Sequence, residues 1–383
     1  MNVLRLTTMR KSLSLMKKRF STNVVKAELV TLDYADLISG KDLRADVEKA
    51  YSLDGLGILA VLNVPTLKEK RRDLLPLARS FAELPDSVKS KYELPDTSYS
   101  FGWSHGKEKL QGKPDFAKGS YYANPQYDKP VENQELIDQF PAFIHPNVWP
   151  DEEMPELAPR FKALGELVVE VGGLVGKQVD EYVSAQCPTY ENNKLFEVIQ
   201  SSKCCKGRLL HYFEKEVEES SNEDDLFSDW CGWHNDHGSL TGLVPAMYID
   251  KDGNDIPNPD PNAGLYIRSR DGSLIHAIMP ANENAIAFQI GETAQIHSGG
   301  LLQATPHAVR GANAPGVTRE TFAVFMEPNW NGDMKVPSGR SADQAQSQAS
   351  ASKLPPGVPP LGSRWKDGMD FGEFTDATLG NYY

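Results

Sequence analysis

Cysteine is scarce in this chain: its 383 residues hold four, Cys187, Cys204, Cys205 and Cys231, with no C-x-x-C among them. That argues against a disulfide framework, and adjacent Cys204 and Cys205 could form only a strained local bridge. Free or buried thiols in a reducing compartment are expected. Positive charge is also in deficit, 40 Lys and Arg against 53 Asp and Glu, for a formal charge of −13. Nucleic-acid binders carry a basic patch or stripe, so no nucleic-acid partner is expected. No run of 18 apolar residues exists, so neither a transmembrane helix nor a membrane partner is expected. Acids are absent from the N-terminus, where none precedes Glu28. Residues 1–20 carry Arg5, Arg10, Lys11, Lys17, Lys18 and Arg19 among hydroxyls, Leu and Met. That composition is the one expected of a mitochondrial transit peptide, with Arg19-Phe20-Ser21 as a processing point. Losing those six charges would take the net charge from −13 to −19. A basic tail on a cytoplasmic protein is the alternative.

What is present reads as a globular protein. Apolar residues make up 40% and charged residues 24%, and the length suits one large domain or two ordinary ones. Strands are expected at 30–34 and 57–63, and helices at 41–54, 67–84 and 86–92. Residues 95–150, rich in Pro, Gly, Tyr and Asn, read as long loops holding short strands. Leu157, Phe161, Leu164, Leu167, Val168, Val171, Leu174 and Val175 form one apolar stripe, the mark of a packing helix. Short apolar runs then follow at 207–213, 239–249, 264–268, 273–279, 284–290, 293–296 and 320–327, divided by turn residues. Many short strands with turn signals between them predict a mainly β core with flanking helices, a sandwich or barrel. The acidic segment 214–229 reads as a solvated loop, and 332–362, rich in Ser, Ala, Gln, Gly and Pro, as a mobile linker. No internal repeat is evident.

The chemistry concentrates in Trp233-His234-Asn235-Asp236-His237-Gly238 and in Thr305-Pro306-His307-Ala308-Val309. His234 and Asp236 stand two apart, so on a strand both side chains point to one face. His307 must come from another strand. Two imidazoles and one carboxylate suit an iron(II) ion that keeps three positions open for oxygen chemistry. Further on, Arg319-Glu320-Thr321 leads into Phe322-Ala323-Val324-Phe325. Arg319 offers the planar two-pronged cation that a carboxylate needs, and Thr321 adds a hydroxyl on the same strand face. His237 points the other way by alternation. His276 and His297 lie in β stretches and read as packed or exposed polar residues.

Together these features resemble the 2-oxoglutarate and iron(II)-dependent dioxygenases of the isopenicillin N synthase-like group, over most of residues 28–330. Gly55-Leu56-Gly57-Ile58-Leu59, Phe81-Ala82-Glu83-Leu84-Pro85, Lys89-Ser90-Lys91-Tyr92, Phe101-Gly102-Trp103 and Asn147-Val148-Trp149-Pro150 match further landmarks. The resemblance implies a double-stranded β-helix (jelly-roll) core at 190–330 and a helical N-terminal domain at 24–150, while the apolar stripe marks a packing helix region at 151–189 and composition a flexible linker and tail at 331–383. It implies Fe(II) on His234, Asp236 and His307, and 2-oxoglutarate as co-substrate with its far carboxylate on Arg319 and Thr321. It also implies O2 and a small-molecule substrate as partners and ascorbate as an accessory reductant. Oligomeric state is not readable.

The sequence departs from the family pattern in places. Thr321 stands where Ser is usual, and Gln289-Ile290-Gly291-Glu292 where Asn and Asp are usual. In Gly207-Arg208-Leu209-Leu210-His211-Tyr212-Phe213, the positions His211 and Phe213 stand where Asn and Tyr are usual, so the resemblance places His211 at the co-substrate and omits a tyrosine hydroxyl. Tyr121, Tyr122 and Trp103 belong by the same analogy near the cavity mouth. Two other readings stay open: an iron oxidase of the same fold that uses no 2-oxoglutarate, and a non-catalytic jelly-roll binding protein.

Overall fold

The computed structural model describes residues 24–110, 113–214, 231–347 and 353–380. The expected transit peptide, 1–20, and the acidic segment beyond Glu214 lie outside the described residues. The chain weaves two facing sheets. The larger runs in the order Val30–Asp33, Ile58–Leu62, Ile286–Ile290, Leu240–Leu243, Val317–Met326, Lys206–Tyr212, Lys118–Ala123, Gly102–His105. Met247–Asp250 also pairs with Val317–Met326. The smaller runs Val25–Glu28, Leu274–Ile278, Gly264–Arg268, His307–Arg310, Cys231–His234. From Cys231 onward the chain passes repeatedly between the sheets, which is the winding of a jelly roll.

The period of two along each strand sorts side chains between two cores. Leu59, Val61, Ile286, Phe288, Leu240, Phe322, Val324 and Met326 turn outward and pack with the 30-residue helix Leu157–Gln186. Ile58, Ala60 and Ala287 turn inward against Ile267, Ile275 and Ala277 of the smaller sheet. Gly242 lets the helix lie close, since a Cβ there would sit 2.3 Å from Val168 Cγ1. All four cysteines are free, and no described helix is long and apolar enough to cross a membrane.

Several expectations are revised. The run 239–249 is two strands, broken at Val244-Pro245-Ala246. Residues 293–296, read as a strand, lie within the helix Glu292–His297, because the backbone there bonds to 236–238 instead of to a sheet neighbour. The N-terminal third is not separate from the core: its strands extend both sheets while its helices cover the larger one. The largest revision concerns 331–383. In place of a flexible linker and tail, its described part holds Met334, Ala345, Leu361, Trp365, Phe371 and Phe374 in one buried cluster with Phe143 and Ile296. The reason is hydrophobic: those side chains are too apolar to stay solvated once a partner surface is available.

Phe322 carries the outer core beneath the strand that bears Arg319 and Thr321. It is fully buried, edge-on to Phe161 with ring centroids 4.9 Å apart. Phe322→Ala is expected to lower stability by about 3–5 kcal/mol in urea denaturation, through lost burial and a residual cavity.

Candidate metal centre

His234 ends the strand Cys231–His234, and the antiparallel register sets His307 opposite it. Asp236 follows two residues on. One ligand atom from each lies within 4.8 Å of the others. Both imidazole Nε2 atoms are 3.8 Å from Asp236 Oδ1, a separation that leaves room for an ion between them.

The other imidazole nitrogens explain why Nε2 is free. His234 Nδ1 donates to the Gly232 carbonyl at 2.8 Å, and His307 Nδ1 to the Thr305 carbonyl at 3.2 Å. The Gln289 amide also reaches His307 Nδ1 at 2.7 Å. It is the amide nitrogen Nε2 that faces the ring there, and Gln289 Oε1 is buried with no hydrogen-bond partner. With a proton held on Nδ1, Nε2 is the atom each imidazole would offer a metal, His234 after losing its second proton, and the oxygen behind each ring raises its basicity.

Electrostatics follow from burial. Burial, with His234 beside it, pushes His307 down to about 4, which keeps it neutral and able to ligate. Burial disfavours the charged form of His234 too, but Cys231 and Asp236 outweigh it and raise that group to about 9. Burial likewise opposes ionisation of Asp236, while His307, His234 and the Thr241 hydroxyl hold its carboxyl below the usual range. These residues suit a divalent ion with nitrogen and oxygen preference, and leave one side of it open.

Arg319 and Thr321 share the inward face of Val317–Met326 with Ala323, which packs between the sheets. The Arg319 guanidinium lies 4.9 Å from the ring centre of Tyr212, its register partner, and Thr321 Oγ1 donates to the Val244 carbonyl at 3.3 Å. His211 is not with them. It faces outward, 2% exposed, with Nδ1 at 2.9 and 3.0 Å from the two Glu320 oxygens. Its expected place at the co-substrate is therefore corrected: Tyr212, one residue on, is the inward side chain beside Arg319. Phe213 packs outside, tilted against His105 and edge-on to His211.

A cavity of about 240 Å³ opens beside the triad, lined by Tyr122, Phe143, Lys206, Arg208, Trp233 and Phe325 among others. Tyr122 is there as expected; Trp103 and Tyr121 are buried in the outer core instead. His237 turns away from the ligands, 3.8 Å from Glu327 and stacked on Phe371. His276 stacks on Tyr266 and His297 donates to the Asp333 carbonyl, so both are packing residues. Gln289, Thr241, Tyr212 and Arg208 escaped sequence reasoning. Strand alternation would have found them only with the inward phase already fixed.

Asp236→Ala is expected to abolish stoichiometric metal binding while leaving the unfolding transition in place, as read by calorimetric titration and circular dichroism. Wild-type affinity should fall as pH is lowered from about 9, because the ion must displace the His234 proton. The expected slope is about tenfold per pH unit below that value, with a plateau above it.

No family model and no curated protein matches the chain. Solved structures do. One is a 2OG-Fe(II) oxygenase family protein from Caulobacter crescentus, at 18% identity and TM-score 0.64, covering 92% of this chain and 98% of that one. Another is Neurospora crassa T7H in complex with alpha-KG and 5-formyluracil, at 18% identity and TM-score 0.62, covering 91% and 94%. JOX2 in complex with 2OG, Fe and JA is similar at 16% identity and TM-score 0.55, covering 95% and 92%. What the chain shares with all three, over more than nine-tenths of its length, is the fold.

Proposed function

We propose that this chain is an Fe(II)- and 2-oxoglutarate-dependent oxygenase acting on a small molecule. One observation carries the reading: two imidazoles with Nδ1 bound to oxygen acceptors turn Nε2 toward one buried carboxylate, in a fold shared with 2OG-Fe(II) oxygenases. His234, Asp236 and His307 would hold the iron, and Arg319 with Thr321 the distal carboxylate of 2-oxoglutarate. Bound together there, iron and 2-oxoglutarate would supply oxygen activation, one oxygen atom of O2 going to the substrate and the other to succinate, with release of carbon dioxide.

The protein's own part is orientation and exclusion of water. Tyr212 backs the Arg319 guanidinium with its ring, so the cation is held in one place before any carboxylate arrives. The apolar wall of Phe143, Trp233 and Phe325 limits water beside the metal. Arg208, Lys206 and Glu327 set polar groups in the same wall, a pattern suited to a small ring or chain carrying polar substituents. T7H with thymine and JOX2 with JA are neighbours holding small molecules, which supports that substrate scale. The oxidase reading without 2-oxoglutarate draws on Phe213, and the inward Arg319, a cation placed for a carboxylate, weighs against it.

The test is succinate release from 2-oxoglutarate by iron-loaded protein on admission of oxygen. Wild type should release succinate, slowly even without its substrate, and Asp236→Ala none. Arg319→Ala should raise the 2-oxoglutarate requirement roughly 10- to 100-fold, the worth of a charge-assisted pair. An unchanged requirement would reject the anchor assignment, and iron-bound protein that consumes oxygen without forming succinate would favour the oxidase.

A further inference from the structure

The loop that bears Asp236 has a second attachment, which the triad does not explain. Asn235 stands between the two ligands and donates from Nδ2 to Glu292 Oε1 at 2.9 Å. Glu292, 0% exposed, opens the helix Glu292–His297. Its backbone N–H donates to the Asp236 carbonyl at 2.8 Å, and Thr293 N–H to those of His237 and Gly238. Gly291 permits the approach, since a Cβ there would fall 2.0 Å from the Gly238 carbonyl oxygen.

Behind Glu292 lies the C-terminal segment. Arg364 Nη2 donates to Glu292 Oε1 at 2.6 Å and Nη1 to Oε2 at 2.8 Å, a two-pronged pair whose arginine is 4% exposed. Arg364 Nη1 also donates to Thr378 Oγ1 at 3.1 Å, on the helix Phe371–Leu379. Thr375, Thr378 and Leu379 of that helix line the cavity beside the triad. Contacts therefore run unbroken from the cavity roof, through Arg364, Glu292 and Asn235, to the metal-binding loop.

We propose that Arg364, Glu292 and Asn235 are positioning residues that hold this loop in its metal-binding geometry, making 353–380 part of the metal centre. The proposal rests on His234, Asp236 and His307 being that centre. A buried ion pair adds little stability over an apolar pair of the same shape. What it adds here is direction: two guanidinium N–H groups fix the Glu292 carboxylate, which presents Oε1 to Asn235 and pins the backbone between the ligands. Groups behind metal ligands typically govern affinity by 10- to 100-fold.

The experiment is Co(II) titration of the full chain, followed by the visible absorption of the bound ion, with thermal unfolding in parallel. Wild type should bind one Co(II), and Asp236→Ala none. Failure of wild type to bind would overturn the metal centre and the proposal together. Glu292→Gln and Arg364→Met should each weaken binding about 10- to 100-fold and alter the band shape. Those variants leave a buried charge unmatched, so the double variant Glu292→Met/Arg364→Met decides the case should they fail to fold; it removes both charges and keeps the packing. It should fold and still bind Co(II) at least tenfold more weakly than wild type, since Asn235 has lost its acceptor. Trp365→Phe, in the same cluster but off the chain of contacts, should lower the melting temperature and leave Co(II) affinity unchanged. Wild-type affinity, within twofold, in the double variant would overturn the proposal while leaving the metal centre standing.

Discussion

Asp236 is 8% exposed, and its Oδ1 lies 3.8 Å from the Nε2 atoms of both His234 and His307. Those distances are too long for hydrogen bonds among the three, so polar atoms converge in the interior without satisfying one another directly. His234 and Asp236 face the cavity, and the His234 side chain is 28% exposed. A divalent cation, under the proposed function, would satisfy all three at once. Most of the surrounding structure sustains this constraint. Gly232, Thr305 and Gln289 occupy the far sides of the imidazoles, Thr241 bonds to the carboxylate, and the 291–293 backbone clamps the loop from behind.

How much of this was legible follows from where the period of two is anchored. The H-x-D spacing needs no phase, since residues two apart share a face whichever face it is; the same holds for Arg319 and Thr321. His211 is different. Placing it required choosing which of two neighbouring residues points inward, and a shift of one residue exchanges every side chain between faces. The phase of Lys206–Tyr212 is fixed by its pairing with Val317–Met326, where Phe322 and Val324 must meet the long helix and Ala323 the inner core. That is long-range information, absent from the strand's own seven residues. The mistaken strand at 293–296 has a related origin: a short apolar run carries no period, and what makes it helical is the metal-binding loop it bonds to.

Average composition hides the burial of the C-terminal segment. Ser, Ala, Gln, Gly and Pro dominate 332–362 and suggest a solvated linker. Yet Met334, Trp365, Phe371 and Phe374 are widely and irregularly spaced apolar anchors, and they suffice to bury the segment against Phe143 and Ile296. Only the last stretch carries a signature, Phe371, Phe374, Thr375 and Thr378 at helical spacing after an Asp370/Glu373 capping box. Arg364 was equally hidden, since a lone arginine in a polar stretch is ordinarily a solvated one and only the buried Glu292 shows otherwise.

The cavity wall is built on the same principle of matched burial. Arg208 donates to Glu108 at 2.7 Å and to Ser120 at 3.0 Å, while Lys118 pairs with Asp115 and lies 3.2 Å from Glu108. Burial opposes ionisation of Glu108, but Arg208 and Lys118 overcome it and hold the carboxyl far below the usual range. Two cations and two carboxylates thus cancel, so this part of the wall is charged by residue type and close to neutral as a surface. Each group is fixed by its partner, and none can swing freely to neutralise an incoming ion. A molecule entering the cavity meets oriented donors and acceptors rather than a net field, so recognition here must turn on shape and hydrogen-bond pattern. Under the proposed function, such fixed groups would orient one bond of a bound molecule toward the triad.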